Sequence, residues 1–588
     1  MLLPAFFRIA ALSVAAFLTA LGAHIFLRLT GEGGLTAIDW LRTILVAFSG
    51  FWLIWGSAAA LLGVFRPVRV DLGNPAQAPR GMTAILVPVY NEDPVATFAR
   101  VAAMNRSVVK LGVAEKFHFV ILSDTQVMET ATQEVLCYNR LIDEPDAVGR
   151  VFYRRRERNI GRKAGNIEDF IARSGGAYDY ALILDADSLM EGTTIAAMAR
   201  RMDDDEELGL LQTVPHIVYA KTIFGRALQF ASTYLSPTFA RGAALMAGRE
   251  GPYWGHNAMV RMRAFASCCG LPVLSGKPPF GGHILSHDYV EAALLSRGGW
   301  KVDLDPSMPG SYEEGPENLI EYAKRDRRWC QGNLQHARLV TAPGLKIWSR
   351  FTFIQGIMAY MASPLWLLLL AASVIAAVFP DMPSVSPGYM NINFSAWTLI
   401  VAVAVVLLLP KFAIWLRGIF DGHNARFGGT LRTLASVLGE ILVSTLLAPT
   451  LLLLQSRSVM QVLLGLDGGW PATTRGQNWV NLKTAFEASW WIVAIAVVTL
   501  GGILVFAPTS AVWVAPAMVP AIFAPLLISL TSRPTRKAGV PLLFATDSEL
   551  ALPAIVKEQQ AILAAWTTQG LPQETADVSL RTAQHVDA

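Results

Sequence analysis

Charge is scarce in this sequence. Asp, Glu, Lys and Arg make up 16% of its 588 residues, and the formal net charge is only +4. Proteins that bind nucleic acid through its phosphates carry a clustered basic surplus, so this balance gives no ground for a nucleic-acid partner. Cysteine is scarcer still: Cys137, Cys268, Cys269 and Cys330 are the full set. All four fall between residues 66 and 350, and the adjacent Cys268 and Cys269 have no second pair at metal-ligand spacing. That pattern argues against both a disulfide framework and a cysteine-held zinc. The third shortage is local. Between residues 66 and 350 no apolar stretch reaches the ~20 residues that a bilayer crossing takes.

Outside that window apolar residues accumulate, and they bring the whole chain to 53% hydrophobic. Stretches at 9–29, 43–65, 353–379, 396–416, 487–507 and 511–530 are each long enough to span a hydrocarbon core. The first could be a cleaved signal peptide. Arg8 at its edge, the lack of a clean small-x-small site and the second span that follows at once favour a retained helix. The loops at 30–41, 380–395 and 508–511 contain no Lys or Arg, whereas Lys411, Arg417, Arg426, Arg432, Arg457, Arg475, Lys483, Arg533, Arg536 and Lys537 fall in the other connections. Positive charge marks the inner side, so the central domain, the 417–432 and 457–486 loops and the C-terminal tail are expected to be cytoplasmic. Both ends of the apolar segment 433–466 then read as inside. It is expected to be a hairpin around Pro449 or an amphipathic pair in the interface, with Glu440 and Gln455 favouring the latter, for six or eight crossings in all.

The expected organisation is therefore two transmembrane helices in 1–66 and a soluble domain in 67–350. Two helices follow in 351–416, interfacial or hairpin helices and a loop in 417–486, two helices in 487–531 and a tail in 532–588. Within the soluble domain "TAILVPVYNE" (83–92), "FHFVILSDT" (117–125) and "YALILDADS" (180–188) are apolar runs that each end in polar residues. Separated by helical segments such as 94–111, they predict a mostly parallel sheet buried on both faces, an α/β domain whose ligand sits beyond the carboxyl ends of the strands. Three strands deliver Asn91 and Glu92, then Asp124, then Asp185 and Asp187 to that edge. Any one of these alone reads as a turn or cap carboxylate. Together they outline an acidic crevice, which a hard divalent cation sharing phosphate oxygens would neutralise.

Lys163, after the glycine turn of "RNIGRKAGN", supplies a cation for phosphates, or is an ordinary basic helix start. The preceding "RRRER" (154–158) reads as a solvated face. Asp288, at the start of the helix in "ILSHDYVEAALLSRGGW", is either a cap or a general base. Arg325, Arg328 and Trp329 share one helical face at i, i+3, i+4, a surface suited to a diphosphate and a stacked sugar, or to anionic lipid.

In this order the clusters resemble the processive family-2 glycosyltransferases, the group that holds cellulose, chitin and hyaluronan synthases: a strand ending in Asp, Asp-x-Asp, a later Asp, then Arg325-x-x-Arg328-Trp329. Within that group "VPVYNEDP", "ERNIGRKAGNI", "YWGHNAMVR", "ILSHDYVEAAL", "PGSYEEGPENL" and "KRDRRWCQGNL" are similar to the glucosyltransferase H family of osmoregulated periplasmic glucan synthesis, and Ser286-His287-Asp288 departs from the Thr-Glu-Asp of cellulose synthases. The resemblance implies a GT-A domain inserted into a multi-pass protein of the bacterial inner membrane. It implies an inverting transferase that uses UDP-glucose and Mg²⁺ or Mn²⁺ to extend a growing linear β-1,2-glucan chain, with translocation across the membrane. Asp124 and Glu92 would contact the uridine with Asn91 beside them, Lys163 the diphosphate, Asp185 the donor and, with Asp187, the metal. Asp288 would be the base, and Arg325, Arg328 and Trp329 would hold the diphosphate and acceptor end. Some relatives associate with acyl carrier protein. "GWPATTR" (469–475) lies where processive synthases keep a cytoplasmic gating loop. The alternatives are another polymer, of cellulose, chitin or mannan type, and, remotely, a transporter or receptor with a nucleotide-binding domain.

Overall fold

The computed structural model describes residues 2–30, 34–144, 146–379, 396–466, 479–535 and 543–570. Two long helices open the chain, α1 (Leu2–Thr30) and α2 (Ala37–Phe65). The central domain follows with β1 (Thr83–Val89), α3 (Pro94–Val109), β2 (Phe117–Ser123), α4 (Met128–Ile142), β3 (Val151–Arg155), α5 (Arg162–Ser174), β4 (Tyr180–Ile183), β5 (Leu189–Met190) and α6 (Gly192–Asp204). It continues with β6 (Leu208–Thr213), β7 (His216–Val218), α7 (Ile223–Phe230), α8 (Ser236–Ala247), β8 (Ala258–Arg261), α9 (Met262–Cys268), α10 (His287–Arg297), β9 (Lys301–Asp305), β10 (Ser311–Glu314) and α11 (Leu319–Gln335). Beyond it lie α12 (Ile347–Val378), α13 (Ala396–Phe420), α14 (Thr430–Leu463), α15 (Leu482–Phe506), α16 (Ala511–Ile522), α17 (Ala524–Thr531), α18 (Asp547–Leu550) and α19 (Ala554–Gln569).

The main sheet has seven strands in the order β3-β2-β1-β4-β8-β6-β9, parallel throughout except where β8 runs against both of its neighbours. Why its strands are near-continuous apolar runs follows from the pleat. In β1, Ile85, Val87 and Val89 enter the core on one face, while Ala84 and Leu86 enter the core on the other. β2 and β4 divide in the same way. With helices over both faces, neither set of side chains is left to water. A second sheet, β5-β10-β7, stands beside the first and takes up the chain just after Asp187.

Among the described residues six helices are long and apolar enough to cross a membrane, namely α1, α2, α12, α13, α14 and α15, and the pair α16 and α17 makes a seventh candidate bent by 54°. Three features of this region differ from expectation. Segment 433–466 is not a hairpin: α14 is one unbroken helix of 34 residues with Pro449 inside it. Proline removes one helical hydrogen bond but does not stop a helix whose neighbours pack around it, and Leu447 and Pro449 are both buried. Nor do Glu440 and Gln455 face an aqueous boundary. Glu440 pairs with Lys411, and Gln455 accepts from Ser363 Oγ at 2.6 Å and donates to Asp326 at 3.0 Å. Stretch 511–530 is broken at Phe523, where Pro525 starts the second helix after Pro516 and Pro520 in the first.

The third difference is the tail. Residues 543–570 return to the central domain: Ile555, Val556, Ile562 and Trp566 of α19 enter its main core, and Glu558 pairs with Arg106 and Lys110 of α3. Buried Arg226 of α7 holds Glu549 at 3.1 Å. The 380–395 loop, the gating-type stretch 469–475 and the tail beyond 570 lie outside the described residues.

α14 touches the central domain along its whole length. Val437 packs with Tyr234, Leu447 with Phe224 and Leu319, and Val459 and Val462 with Cys330 and Leu334. At 1.5 Å per residue such a helix is about 51 Å long, so it lies along the domain rather than leading away from it.

Candidate active site

Parallel strands β1, β2 and β4 end at one edge, and the residues just past them form the floor of a cavity of about 1610 Å³. Of the sequence-predicted residues, Glu92, Asp124, Lys163, Asp185, Asp187, Asp288, Arg325, Arg328 and Trp329 all line it. Asn91 does not. Its Oδ1 accepts from the backbone N–H groups of Gln126 and Val127, both at 3.1 Å, and its own N–H donates to Thr125 Oγ1 at 2.9 Å. With φ at +58°, a conformation asparagine tolerates better than most residues, Asn91 locks the loop after β1 to the loop after β2.

Asp124 is buried and held by both arms of Arg156, Nε at 2.7 Å and Nη2 at 2.8 Å. This corrects the reading of "RRRER" as a solvated face: Arg156 turns inward to a carboxylate across the strand end, while Arg155 stays exposed. Lys163 stands in the first turn of α5, after Gly161 with φ at +68°. Its ammonium pairs with Asp185 and donates to Gly255 O at 2.7 Å. Burial alone would raise the Asp185 carboxyl; Lys163, His256 and Arg325 outweigh it and hold the group well below the usual carboxylate range. Asp187, two residues on, is 8% exposed.

The loop "WGHN" joins these groups to the rest of the site. Asn257 accepts from Ser188 at 2.5 Å and donates to Ser311 at 2.8 Å, and Ser188 in turn accepts from the Asp185 N–H at 2.9 Å. Gly255, with φ at +86°, faces Asp288: a Cβ built there would sit 3.6 Å from the Asp288 Cβ. Asp288 lies in the first turn of α10, and its carboxyl is raised above the usual range by burial, against the opposing pull of His287. His287 Nδ1 meets Glu291 at 3.0 Å. Burial lowers the His287 pKa, but the Glu291 carboxylate more than offsets that, and the net direction is upward.

α11 is pressed against the start of α10. Gly332 leaves no room for a side chain, since a Cβ there would meet Ser286 Oγ at 2.2 Å. His336, which burial lowers to about 4 and so keeps neutral, donates from Nε2 to Ser286 O at 2.9 Å. That docking carries Arg325 and Trp329 to the cavity, with the Arg325 guanidinium 4.6 Å over the indole. Beyond Trp329 the cavity continues past Asn333 to Gln355 and Tyr360 of α12 and Trp55 and Ala59 of α2.

The sequence reading missed Arg156 as the partner of Asp124, and it missed His256, Glu313 and the α19 residues Gln559 and Gln560 on the cavity wall. His256 and Glu313 stand inside the stretches "YWGHNAMVR" and "PGSYEEGPENL", where a charged or polar residue amid apolar ones was the available signal. For α19 there was none near the site.

Comparisons with known proteins agree with this geometry. Residues 84–268 match the family described as glycosyl transferase family 2, and residues 180–410 match glycosyl transferase family group 2. Glucans biosynthesis glucosyltransferase H of Cereibacter sphaeroides is 49% identical over 575 residues, which is 96% of each chain. The protein of that name from Rhodopseudomonas palustris is 38% identical over 95% of this chain and 80% of its own, and that from Vibrio cholerae 38% over 90% and 75%. A solved mannosyltransferase, PcManGT of Pyrobaculum calidifontis with GDP-Man and Mn²⁺, covers 65% of this chain and 99% of its own at 14% identity and a TM-score of 0.42, too loose a likeness to bear on ligands here. The mostly parallel sheet, the acidic strand ends, the membrane-length helices and the near full-length identity place the chain in the glucans biosynthesis glucosyltransferase H family: it is a multi-pass family-2 glycosyltransferase of GT-A fold that acts in glucan synthesis, between a nucleotide-sugar donor and a glycan acceptor.

Proposed function

We propose that this protein polymerises glucose from UDP-glucose into a linear β-1,2-glucan, with inversion at the anomeric carbon, on the cytoplasmic side of a bacterial inner membrane. The observation that carries the reading is the continuous cavity that joins the acidic strand ends, Asp288, and Arg325 with Trp329, and then continues to the membrane helices. In this site the uridine lies against Glu92 and Asp124, and the diphosphate between Lys163 and the Arg325 and Arg328 side of α11. The 2-hydroxyl of the chain's terminal glucose attacks C1 of the donor sugar on the face opposite the diphosphate. The C1–O bond to the diphosphate breaks, and the hydroxyl proton passes to an Asp288 carboxylate oxygen. Trp329 offers its face to the acceptor ring.

A divalent cation fits the donor set. Among the described residues no three His, Cys, Asp or Glu side chains gather at one point, and one or two carboxylates completed by phosphate oxygens is how Mg²⁺ is commonly held. Asp187 and Asp185 are the carboxylates that would hold it, and Asp185 also faces the Lys163 ammonium. When bound, such an ion neutralises charge on the departing diphosphate.

The continuation between α2 and α12 gives the product a way toward the membrane. With α14 lying on the membrane face of the domain, the crossings number six, by α1, α2, α12, α13, α15 and the bent pair α16 and α17. Both ends of α14 are then cytoplasmic. Single cysteines placed by Asp421→Cys and Leu466→Cys in a cysteine-free background should both resist a membrane-impermeant thiol reagent added to intact cells. Labelling of one but not the other makes α14 a crossing and removes this topology.

Donor and linkage are tested together. Detergent-purified protein offered UDP-glucose, UDP-N-acetylglucosamine or GDP-mannose should polymerise only glucose, and methylation analysis should give 1,2 bonds. A 1,4-linked product would move the chain to cellulose-type synthesis.

A further inference from the structure

Glu313 and Glu314 are consecutive on β10, so their side chains leave opposite faces of the strand. Glu314 pairs with Arg100, and Arg100 Nη1 donates to Ala186 O at 3.0 Å, fixing the backbone between Asp185 and Asp187. Glu313 turns the other way, toward His256 and Arg325, and both glutamates line the cavity. The Glu313 carboxylate lies 3.6 Å from His256 Nε2 and 3.8 Å from Arg325 Nη2, with 16% of the side chain exposed. Arg325 therefore has a carboxylate at one end and an indole face 4.6 Å below its plane.

The distances decide what this contact does. At 3.8 Å the pair is longer than a hydrogen bond, so Glu313 attracts the guanidinium without consuming its N–H donors. The competing partners are close, since Arg325 is among the charges that act on Asp185, and Asp185 and Asp187 act on Glu313. Without the Glu313 charge, Asp185, whose carboxyl already feels Arg325, competes for that guanidinium. A guanidinium drawn to Asp185 would neutralise a carboxylate that the donor complex needs.

We propose that Glu313 is a positioning residue that holds Arg325 over Trp329 and off the Asp185 and Asp187 carboxylates, so that Arg325 meets the departing diphosphate. His256 steadies Glu313 from the far side, on the loop that also supplies the Gly255 carbonyl to Lys163. The inference rests on the reading above in which Arg325 receives the diphosphate.

The test is a double-mutant cycle on the full-length protein in detergent, with kcat and KM for UDP-glucose measured for the wild type, Glu313→Gln, Arg325→Ala and the double variant. Glu313→Gln keeps the shape and removes the charge, and should lower kcat about tenfold with a smaller change in KM. In the Arg325→Ala background the same change should cost less than about twofold, because the residue it positions is gone. Glu313→Asp should recover part of the loss. If Arg325→Ala is impaired while Glu313→Gln turns over normally, the positioning role is wrong and the diphosphate reading stands. An equal tenfold loss in both backgrounds means that Glu313 acts by another route. A fully active Arg325→Ala removes the diphosphate reading and the inference with it.

Discussion

Asp288→Asn should lower glucan synthesis by about 10²-fold or more while leaving UDP affinity nearly unchanged. Loss of a positioned general base typically costs 10²–10⁴ in rate, and asparagine keeps the size and much of the hydrogen bonding of aspartate while abolishing its basicity. UDP should be insensitive, because in this site it is held by groups just past β1, β2 and β4 and on α5 and α11 rather than on α10. The wild-type pH profile carries a second signature. Burial raises the Asp288 carboxyl, so the group is protonated and idle at the acid end and gains its base form as pH rises through that elevated value. Activity should therefore climb with pH over a limb displaced upward from an ordinary carboxylate, and Asp288→Asn should lack that limb. Initial rates over a pH series with both proteins check this. Near-normal turnover by the variant would reduce Asp288 to a first-turn acid of α10, and loss of UDP binding would make it part of the donor site instead.

Removing divalent metal should abolish turnover, and Mg²⁺ or Mn²⁺ should restore it. The expected size comes from charge stabilisation worth several kcal/mol, which at about 1.4 kcal/mol per tenfold is on the order of 10³ in rate. Asp187→Asn should lose a comparable factor and should not be rescued by excess metal. Asp185 also pairs with Lys163, so its removal disturbs that ion pair as well as a ligand. Dialysis against EDTA followed by readdition, scored as glucan formed, makes the measurement, and undiminished turnover after dialysis would leave the paired carboxylates without a metal role.

The parts of the molecule that are legible in the sequence are those where local pattern and chemistry coincide. β1, β2 and β4 are apolar on both faces because both faces are covered, and each hands a carboxylate to the same edge, which is why the residue pattern by itself gathers Glu92, Asp124, Asp185 and Asp187. Lys163, Asp288 and the Arg325 face are readable because helix starts and i, i+3, i+4 spacing are local rules. Asn91 joins the ligand groups in the sequence by adjacency alone, and its amide instead bridges two loops. Pairings across the chain leave no local trace. Arg156 reaches Asp124 across 32 residues, and Glu558 reaches Arg106 across 452. Nothing local marks α19 as a docking helix; Ile555, Val556, Ile562 and Trp566 enter the main core and Glu558 pairs with Arg106 and Lys110 of α3, partners far away in the chain. Proline is over-read in α14, where packing holds the helix through Pro449, and under-read in 511–530, where three prolines bend the span.

The affinity of UDP for the detergent-purified protein, titrated calorimetrically with Mg²⁺ and with EDTA, tests the metal–diphosphate site most directly, because it needs neither acceptor nor membrane transport. A site in which Asp187 and the diphosphate share a cation predicts that Mg²⁺ tightens UDP binding by about tenfold or more, or ~1.4 kcal/mol, in the wild type and not in Asp187→Asn. Equal UDP affinity with Mg²⁺ and with EDTA in the wild type would contradict it.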